Sequence, residues 1–242
     1  MTNIPTVQLS EGFTVSAQGY GAMSVAPVYG PVDAAEALAT LHHAIDIGVT
    51  FIDTANVYGD GASEIAVGTV LKERRDEVQL ATKFGLVGNI ANGRRSINGK
   101  PEYVAQALDE SLSRLGVDTV DLYYLHRVDP EVPIEDTVGA IAEQVKAGKV
   151  RNIGLSEATG DELRRASRVH PIAAIQSEWS IWSRDVEKHV FPRRRNSASA
   201  SCRTRRWAGG DSSPERTTRP RWATRICVAG SRVSATMRCR RT

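Results

Sequence analysis

The sequence predicts an α/β protein, an incomplete (β/α)8 barrel of about six βα units followed by an irregular arginine-rich tail. Strand-like and helix-like apolar patterns alternate up to about residue 192. The spacing between successive strands leaves room for one helix each time, as in repeated βα units. Several of these strands are apolar almost throughout, which is typical of strands covered on both faces in a parallel sheet.

The predicted elements of the first half follow from capping residues and apolar spacing. Asp33 and Ser63 are residue types that favour helix N-caps, and Gly48 is placed to end the first helix. The predicted elements are a hairpin (7–9 and 13–15), a strand (19–24), a helix after Asp33, a strand (49–55), a helix from Ser63 to Leu71 and a strand (78–83).

The second half continues the same alternation. Gly116 and Gly148 are placed to end two helices, and Thr159 or Asp161 to begin a third. The predicted elements are a helix (102–115), a strand (120–125), a helix (134–147), a strand (150–155), a helix (159–167), a strand beginning at 173–176 and a helix near Asp185.

Two architectures share this alternation, an open doubly wound sheet and a barrel. A doubly wound dinucleotide-binding sheet usually has a glycine-rich phosphate loop after its first strand. Here Gly19-Tyr20-Gly21 lacks the third glycine of that fingerprint. The sequence therefore favours the barrel.

Composition sets the broad class. The chain has 242 residues, of which 41% are hydrophobic and 24% charged, as in ordinary globular proteins. The sequence shows neither an apolar run of about 18 residues nor a signal-peptide pattern, so we expect a cytoplasmic protein with no membrane partner. Three cysteines do not suggest a disulfide framework, and no metal site is predicted.

Polar residues stand at the ends of successive predicted strands. Asp53, Lys83 and His126 end the second, third and fourth strands. The carboxyl ends of barrel strands converge on one face, where enzymes of this architecture keep their active sites. Each residue alone could be structural, but packing does not explain an acid, a base and an imidazole at three successive strand ends.

Tyr58 lies in the loop after Asp53 and completes a chemically coherent set. We expect Lys83 to lower the pKa of the Tyr58 phenol, with Asp53 holding Lys83 by an ion pair. Tyr58 could then donate a proton while His126 donates a hydrogen bond to a carbonyl oxygen. No side chain carries hydride, so carbonyl reduction at this site requires a nicotinamide cofactor.

Four segments resemble the signature segments of the aldo-keto reductase superfamily in content, order and spacing. They are residues 51–59 (FIDTANVYG), 80–85 (LATKFG), 121–126 (DLYYLH) and 148–156 (GKVRNIGLS). Residues 125–129 (LHRVD) resemble bacterial members close to the voltage-gated channel β-subunit branch. The resemblance covers residues 5–192. It implies a TIM (β/α)8 barrel, NADPH as cofactor, reduction of an aldehyde or ketone, and the tetrad Asp53, Tyr58, Lys83 and His126.

The same resemblance implies the cofactor-binding residues. Ser156, Glu157 and Gln176 would hold the nicotinamide carboxamide region, and Asp53 would lie near the nicotinamide ribose. Gly21, Ala22 and Met23 would line the floor of the site. Trp179 and Trp182 either border the substrate or serve packing. Residues 87–101 are expected to form a long mobile loop beside the pocket. The carbonyl substrate and the oligomeric state are not indicated.

Residues 193–242 differ from the rest and are predicted to be a disordered basic tail, separate from the partial barrel at 1–192. The tail contains 14 arginines, no lysine and only two acidic residues. It has no sustained apolar period, and it stands where the seventh and eighth βα units would be. We therefore expect two open sheet edges, through which the chain would aggregate or dimerise. We also expect low stability, weak NADPH binding and impaired activity of this chain.

A shift of reading frame is our hypothesis for this tail. Codons can be chosen for residues 196–210 that also encode a second peptide in another reading frame. When one G is placed before these codons and translation starts one base earlier, the encoded peptide is ELGIGFVPYAPLGRG. That segment resembles the one expected next in the family. The hypothesis places the shift between residues 192 and 196, and the nucleotide sequence of the gene tests it.

Two functions other than catalysis remain open. The channel-subunit resemblance allows an NADPH-binding regulatory subunit with little turnover. The arginine-rich tail, with Trp207 and Trp222, could bind nucleic acid by charge and stacking. Its lack of lysine and of repeats makes nucleic-acid binding the weaker alternative.

Overall fold

The computed structural model describes residues 4–88 and 96–190, apart from the side chain of His189, together with the backbone of two strands at 200–204 and 225–229. The strands are β1 (Thr6–Ser10), β2 (Phe13–Ser16), β3 (Gln18–Gly21), β4 (Phe51–Asp53), β5 (Gln79–Phe84), β6 (Leu86–Val87), β7 (Ser96–Ile97), β8 (Leu122–Leu125), β9 (Ile153–Ser156), β10 (Ile172–Glu178), β11 (Ala200–Thr204) and β12 (Arg225–Ala229). The helices are α1 (Ala34–Asp46), α2 (Ala62–Arg74), α3 (Pro101–Leu115), α4 (Ile134–Lys146), α5 (Gly160–Val169) and α6 (Asp185–His189).

Six strands form the parallel part of a closed barrel. Strands β3, β4, β5, β8, β9 and β10 are neighbours in chain order, and each pairs in parallel with the next. The prediction of a barrel of about six βα units is confirmed, and the doubly wound alternative is excluded because the sheet closes on itself.

The last two strands close the barrel and correct the expectation of open edges. β11 pairs in parallel with β10, while β12 runs antiparallel to both β11 and β3. The expectation failed because it rested on apolar content, whereas an exposed edge pairs through backbone groups that any extended segment supplies. The remaining residues of the predicted disordered tail lie outside the described residues.

The hairpin β1–β2 covers the end of the barrel where the parallel strands begin. Leu9, Phe13 and Val15 are buried against a cluster that includes Phe51 and Leu122, the first residues of β4 and β8. The hairpin therefore covers the amino-terminal end of the barrel, and the opposite, carboxyl-terminal end is called the mouth below.

The observed N-cap residues agree with the predicted ones in some helices and differ in one. Asp33 accepts a hydrogen bond from the Glu36 amide, as predicted. Of the two predicted caps of α5, Thr159 is the N-cap, and it forms a reciprocal capping box with Glu162. The prediction that Ser63 caps α2 is wrong. Gly61 is the N-cap, with φ of 88°, and the Ser63 hydroxyl bonds elsewhere.

Two other boundaries differ from the prediction. The strand expected at 19–24 ends at Gly21 and continues as a short 3-10 turn, Ala22–Val25. The loop expected at 87–101 contains the short pair β6–β7, and its residues 89–95 lie outside the described residues. Among the described helices, none combines the length and apolar character needed to cross a membrane.

Candidate active site

The four residues of the predicted tetrad lie together at the carboxyl-terminal end of the barrel. Asp53 is the last residue of β4, Lys83 lies near the end of β5, and His126 directly follows β8. Tyr58 lies in the loop between β4 and α2. All four are buried, and the Lys83 side chain has no solvent exposure.

The Lys83 ammonium is the centre of the contacts. Its Nζ donates to Asp53 Oδ2 at 2.7 Å and to the Thr54 carbonyl at 2.9 Å, and it lies 3.4 Å from the Tyr58 hydroxyl. The rings of Tyr58 and His126 meet edge to face, with centroids 5.7 Å apart. A phenol, an ammonium, a carboxylate and an imidazole therefore share one buried site.

Electrostatics at this site depart from one expectation. Burial raises the pKa of Tyr58 above its ordinary value of 10.0, and this outweighs the lowering effect of Lys83. The predicted lowering by Lys83 is present, but the predicted net lowering is wrong because the phenol is almost fully removed from solvent. For Lys83, burial alone would lower the pKa, but Asp53 and Tyr58 raise it overall.

A hydrogen-bond chain that the sequence did not predict supports Lys83. The Ser63 hydroxyl donates to the Ala22 carbonyl at 2.7 Å and lies 2.8 Å from the Thr54 hydroxyl. A hydroxyl has one proton to donate, so Thr54 is the donor to Ser63. Because the Thr54 carbonyl accepts from Lys83, this series of hydrogen bonds links Ala22 to the ammonium.

A second buried network holds β5 from outside the barrel. Thr82, the neighbour of Lys83, bonds to the fully buried Glu64 of α2 at 2.5 Å, and Arg114 of α3 bonds to the other carboxylate oxygen at 2.7 Å. Two helices thereby fix the strand that carries Lys83. The sequence indicated Ser63 only as a helix cap and gave no signal for Glu64, because both lie within an ordinary helical pattern.

The predicted cofactor residues occupy the same end of the barrel. Gln176 of β10 is buried, and its amide nitrogen lies 3.2 Å from Asp53 Oδ2. Gly21 ends β3, and Ala22 and Met23 follow it in the 3-10 turn. Met23 packs against the cluster that contains Tyr58. These residues surround the tetrad from the strands on both sides.

Ser156 and Glu157 at the end of β9 differ from each other. Ser156 is buried, and its hydroxyl is 3.2 Å from an Arg127 nitrogen. Glu157 has φ of 54°, an uncommon conformation for a residue with a side chain. The Glu157 side chain is exposed and accepts a hydrogen bond from the Glu178 amide. The backbone of Glu157 therefore lies at the end of β9 beside the mouth, while its side chain is directed to solvent.

The two candidate substrate tryptophans have different surroundings. Trp179 packs against the main core and donates to Glu187 at 2.8 Å, which fits a packing role. The Trp182 side chain is 89% exposed.

One buried acceptor allows a test of whether the site suits a nicotinamide cofactor. Asp53 Oδ1 is buried and has no hydrogen-bond partner among the described residues, while Oδ2 is engaged by Lys83. A buried acceptor of this kind normally has a partner. A ribose hydroxyl would supply one, and the residues present therefore fit the cofactor.

Comparison with known proteins identifies the family of the chain. Residues 18–197 match the model of the aldo/keto reductase family. A closed barrel with these four residues at its carboxyl-terminal end agrees with that match. The chain belongs to the aldo/keto reductase family.

Individual proteins of this family are similar to the chain in sequence and in structure. A probable aldo-keto reductase of Glycine max is 45% identical over 185 residues, which are 76% of this chain and 53% of the relative. The chain thus spans about half the length of that curated relative. The glycerol dehydrogenase of Gluconobacter oxydans shares 29% identity with a TM-score of 0.75, covering 82% of this chain and 62% of that structure. The holo form of an aldo-keto reductase from Bacillus halodurans shares 28% identity with a TM-score of 0.74, covering 84% and 66%.

Proposed function

We propose that this protein is an NADPH-dependent oxidoreductase that reduces an aldehyde or a ketone to an alcohol. The observation that carries the proposal is the Lys83 ammonium, held between Asp53 and the Tyr58 hydroxyl in one buried site. Family membership and the similarity to a holo aldo-keto reductase support a nicotinamide cofactor. The choice of NADPH rests on the sequence resemblance.

The residues that would hold the cofactor surround the tetrad. The unpartnered Asp53 Oδ1 would accept from a ribose hydroxyl, and Ser156 and Gln176 would bind the carboxamide. Gly21, Ala22 and Met23 would form the floor. When bound, the reduced nicotinamide supplies the hydride that no protein side chain can supply.

Tyr58 is the proton donor in this proposal. Its raised pKa keeps the phenol protonated at neutral pH, so the proton to be donated is present. The hydroxyl delivers that proton to the carbonyl oxygen as the oxygen gains negative charge. Lys83 then stabilises the phenolate left behind, and Asp53 balances the Lys83 charge in the absence of solvent.

His126 has a separate task, to orient the carbonyl. Its ring lies edge to face with Tyr58, so one carbonyl oxygen could approach both groups. A hydrogen bond from the imidazole would polarise the carbonyl and favour hydride addition. The burial of all four residues excludes water and strengthens these interactions.

The test is product formation from 4-nitrobenzaldehyde with NADPH or NADH, together with a fluorescence titration of each dinucleotide. We expect 4-nitrobenzyl alcohol with NADPH and formation at least about 100-fold slower in Tyr58→Phe, which should still bind NADPH. Binding of NADPH without alcohol from the wild type would overturn the proposal in favour of the regulatory subunit. The proposed cytoplasmic location rests on the sequence alone. Nucleic-acid binding would involve tail residues that lie largely outside the described ones.

A further inference from the structure

Arg127 occupies a position at the mouth that the mechanism does not use. It follows His126 and is half-buried. Its NH1 donates to the His126 carbonyl at 2.6 Å and to the Ser156 hydroxyl at 3.2 Å. One nitrogen of the guanidinium thus bridges the ends of β8 and β9, and this fixes the group between the tetrad and the predicted carboxamide site.

The charge of Arg127 has no carboxylate partner among the described residues. Seven of the nine arginines whose side chains are described form ion pairs. The other arginine without one is Arg168, which is exposed on α5. The nearby Asp129 carboxylate is engaged by the amides of Gly99 and Glu131, and Lys83 is matched by Asp53. Among the residues whose side chains are described, Arg127 therefore has no carboxylate within ion-pair distance.

Within the described part of the chain, the half-buried guanidinium of Arg127 is bound only to two neutral oxygens. Removal of a charge from water is unfavourable unless an opposite charge compensates it. Both partners among the described residues are bound through NH1, so within this part of the chain Nε and NH2 keep their donors for another group. A guanidinium with two adjacent free donors binds a carboxylate or phosphate in a bidentate manner.

We propose that Arg127 binds a carboxylate of the substrate, and that the substrate class is aldehydes or ketones that carry such a group. This inference rests on the proposed function, in which His126 positions the carbonyl. The carbonyl carbon gains hydride from the reduced nicotinamide and the oxygen gains a proton from Tyr58. The products are a hydroxy acid and the oxidised dinucleotide, and the carboxylate is unchanged. A dinucleotide phosphate is the other anion with this chemistry, but Arg127 is pinned beside His126 and Ser156, where the carbonyl and the carboxamide would lie.

The test compares two aldehydes of the same shape and different charge, 4-carboxybenzaldehyde and 4-nitrobenzaldehyde. The full-length chain is assayed with NADPH, and binding is also measured without turnover, with and without NADP+. The ratio of KM values, or of Kd values, between the two aldehydes is compared among the wild type, Arg127→Gln, Arg127→Lys and Arg168→Gln. Comparing ratios between variants cancels the different intrinsic reactivity of the two aldehydes.

We expect the wild type to favour the carboxylate, and Arg127→Gln to lose about tenfold of that preference, the scale of a charge-assisted hydrogen bond. Arg127→Lys should keep part of the preference, and Arg168→Gln should keep all of it. An unchanged ratio in Arg127→Gln would overturn the inference. If NADPH binding were also weaker in that variant, Arg127 would instead be assigned to a cofactor phosphate. Selective binding of 4-carboxybenzaldehyde without reduction of either aldehyde would support the carboxylate site while refuting the proposed function. Absence of selective binding in the wild type would refute the site.

Discussion

The Lys83 ammonium has no solvent exposure, and its charge is balanced by Asp53 at 2.7 Å. Removing one partner of such a pair leaves a buried, uncompensated charge, which typically destabilises a protein by about 3–5 kcal/mol. The pair therefore has two roles at the residue scale. It keeps Lys83 charged inside the barrel, and it places that charge beside the Tyr58 hydroxyl.

The titration of Tyr58 tests this description of the site. Burial raises the pKa of the phenol above 10.0, so the stabilisation linked to its proton is present below that value. It is lost as the pH rises through the pKa of the folded state. We expect the tyrosinate absorbance of the wild type, minus that of Tyr58→Phe, to show a step above pH 10. A step near neutral pH would mean that the field of Lys83 outweighs burial.

Ser63 offers a second prediction at the same scale. Ser63→Ala leaves the buried Thr54 hydroxyl without its acceptor and the Ala22 carbonyl without its donor. Urea denaturation should show a loss of about 1–3 kcal/mol in unfolding free energy. Ser113→Ala is the matched control, since Ser113 is exposed on α3 and should change stability by less than about 0.5 kcal/mol. Equal effects of the two changes would contradict the bridging role of Ser63.

The sequence predicted those residues of the candidate site whose chemical type is unusual at the end of an apolar strand. Asp53, Lys83 and His126 stand at strand ends, and the structure brings them together with Tyr58. Ser63 was misread as a helix cap because serine favours both tasks and local sequence cannot see the Ala22 carbonyl. The sign of the Tyr58 pKa shift also required the structure, because burial is a property of the packed barrel.

At the scale of elements, the contact between α2 and α3 holds the strand that carries Lys83 from outside the barrel. Gly68 of α2 lies against the end of α3, where a Cβ atom would come within 2.7 Å of the Arg114 carbonyl oxygen. This close approach lets Arg114 reach the buried Glu64, which holds Thr82 beside Lys83. The glycine is needed for space rather than for an unusual backbone angle.

Substituting alanine at two helical glycines separates these effects. Gly68→Ala should destabilise the protein by about 1–3 kcal/mol, because the clash is with backbone atoms that cannot move freely. Gly139→Ala in α4 is the control, since a Cβ there meets nothing within 4 Å. It should stabilise by about 0.5–1 kcal/mol through the higher helix propensity of alanine. Thermal denaturation of both variants gives the comparison, and a stabilised Gly68→Ala would contradict the close packing.

At the scale of the whole molecule, closure of the barrel is the feature that the sequence did not predict. The apolar periodicity and the caps indicated six βα units, because those signals are local. The pairing of β12 with β3 joins backbone segments far apart in the chain, and β11, which pairs with β10, lies in a tail without a sustained apolar period. The reading-frame hypothesis for residues 193–242 stays a prediction.

Hydrogen exchange tests the closure directly. Backbone amides of Ala200–Thr204 should exchange slowly if they pair with the strand Ile172–Glu178, as the register places them. Peptides from residues 174–178, measured in the same experiment, provide the internal reference. Exchange of 200–204 at the rate of an unstructured peptide would contradict the closed barrel and restore the open edges that the tail composition indicates.

The central claim is that the buried tetrad transfers a proton during reduction of a carbonyl. Stopped-flow oxidation of NADPH by 4-nitrobenzaldehyde in a single turnover measures this step most directly. The account predicts oxidation by the wild type and a rate at least about 100-fold lower in Tyr58→Phe, with NADPH binding retained. Equal rates in the two proteins, or no oxidation by a wild type that binds NADPH, would contradict it.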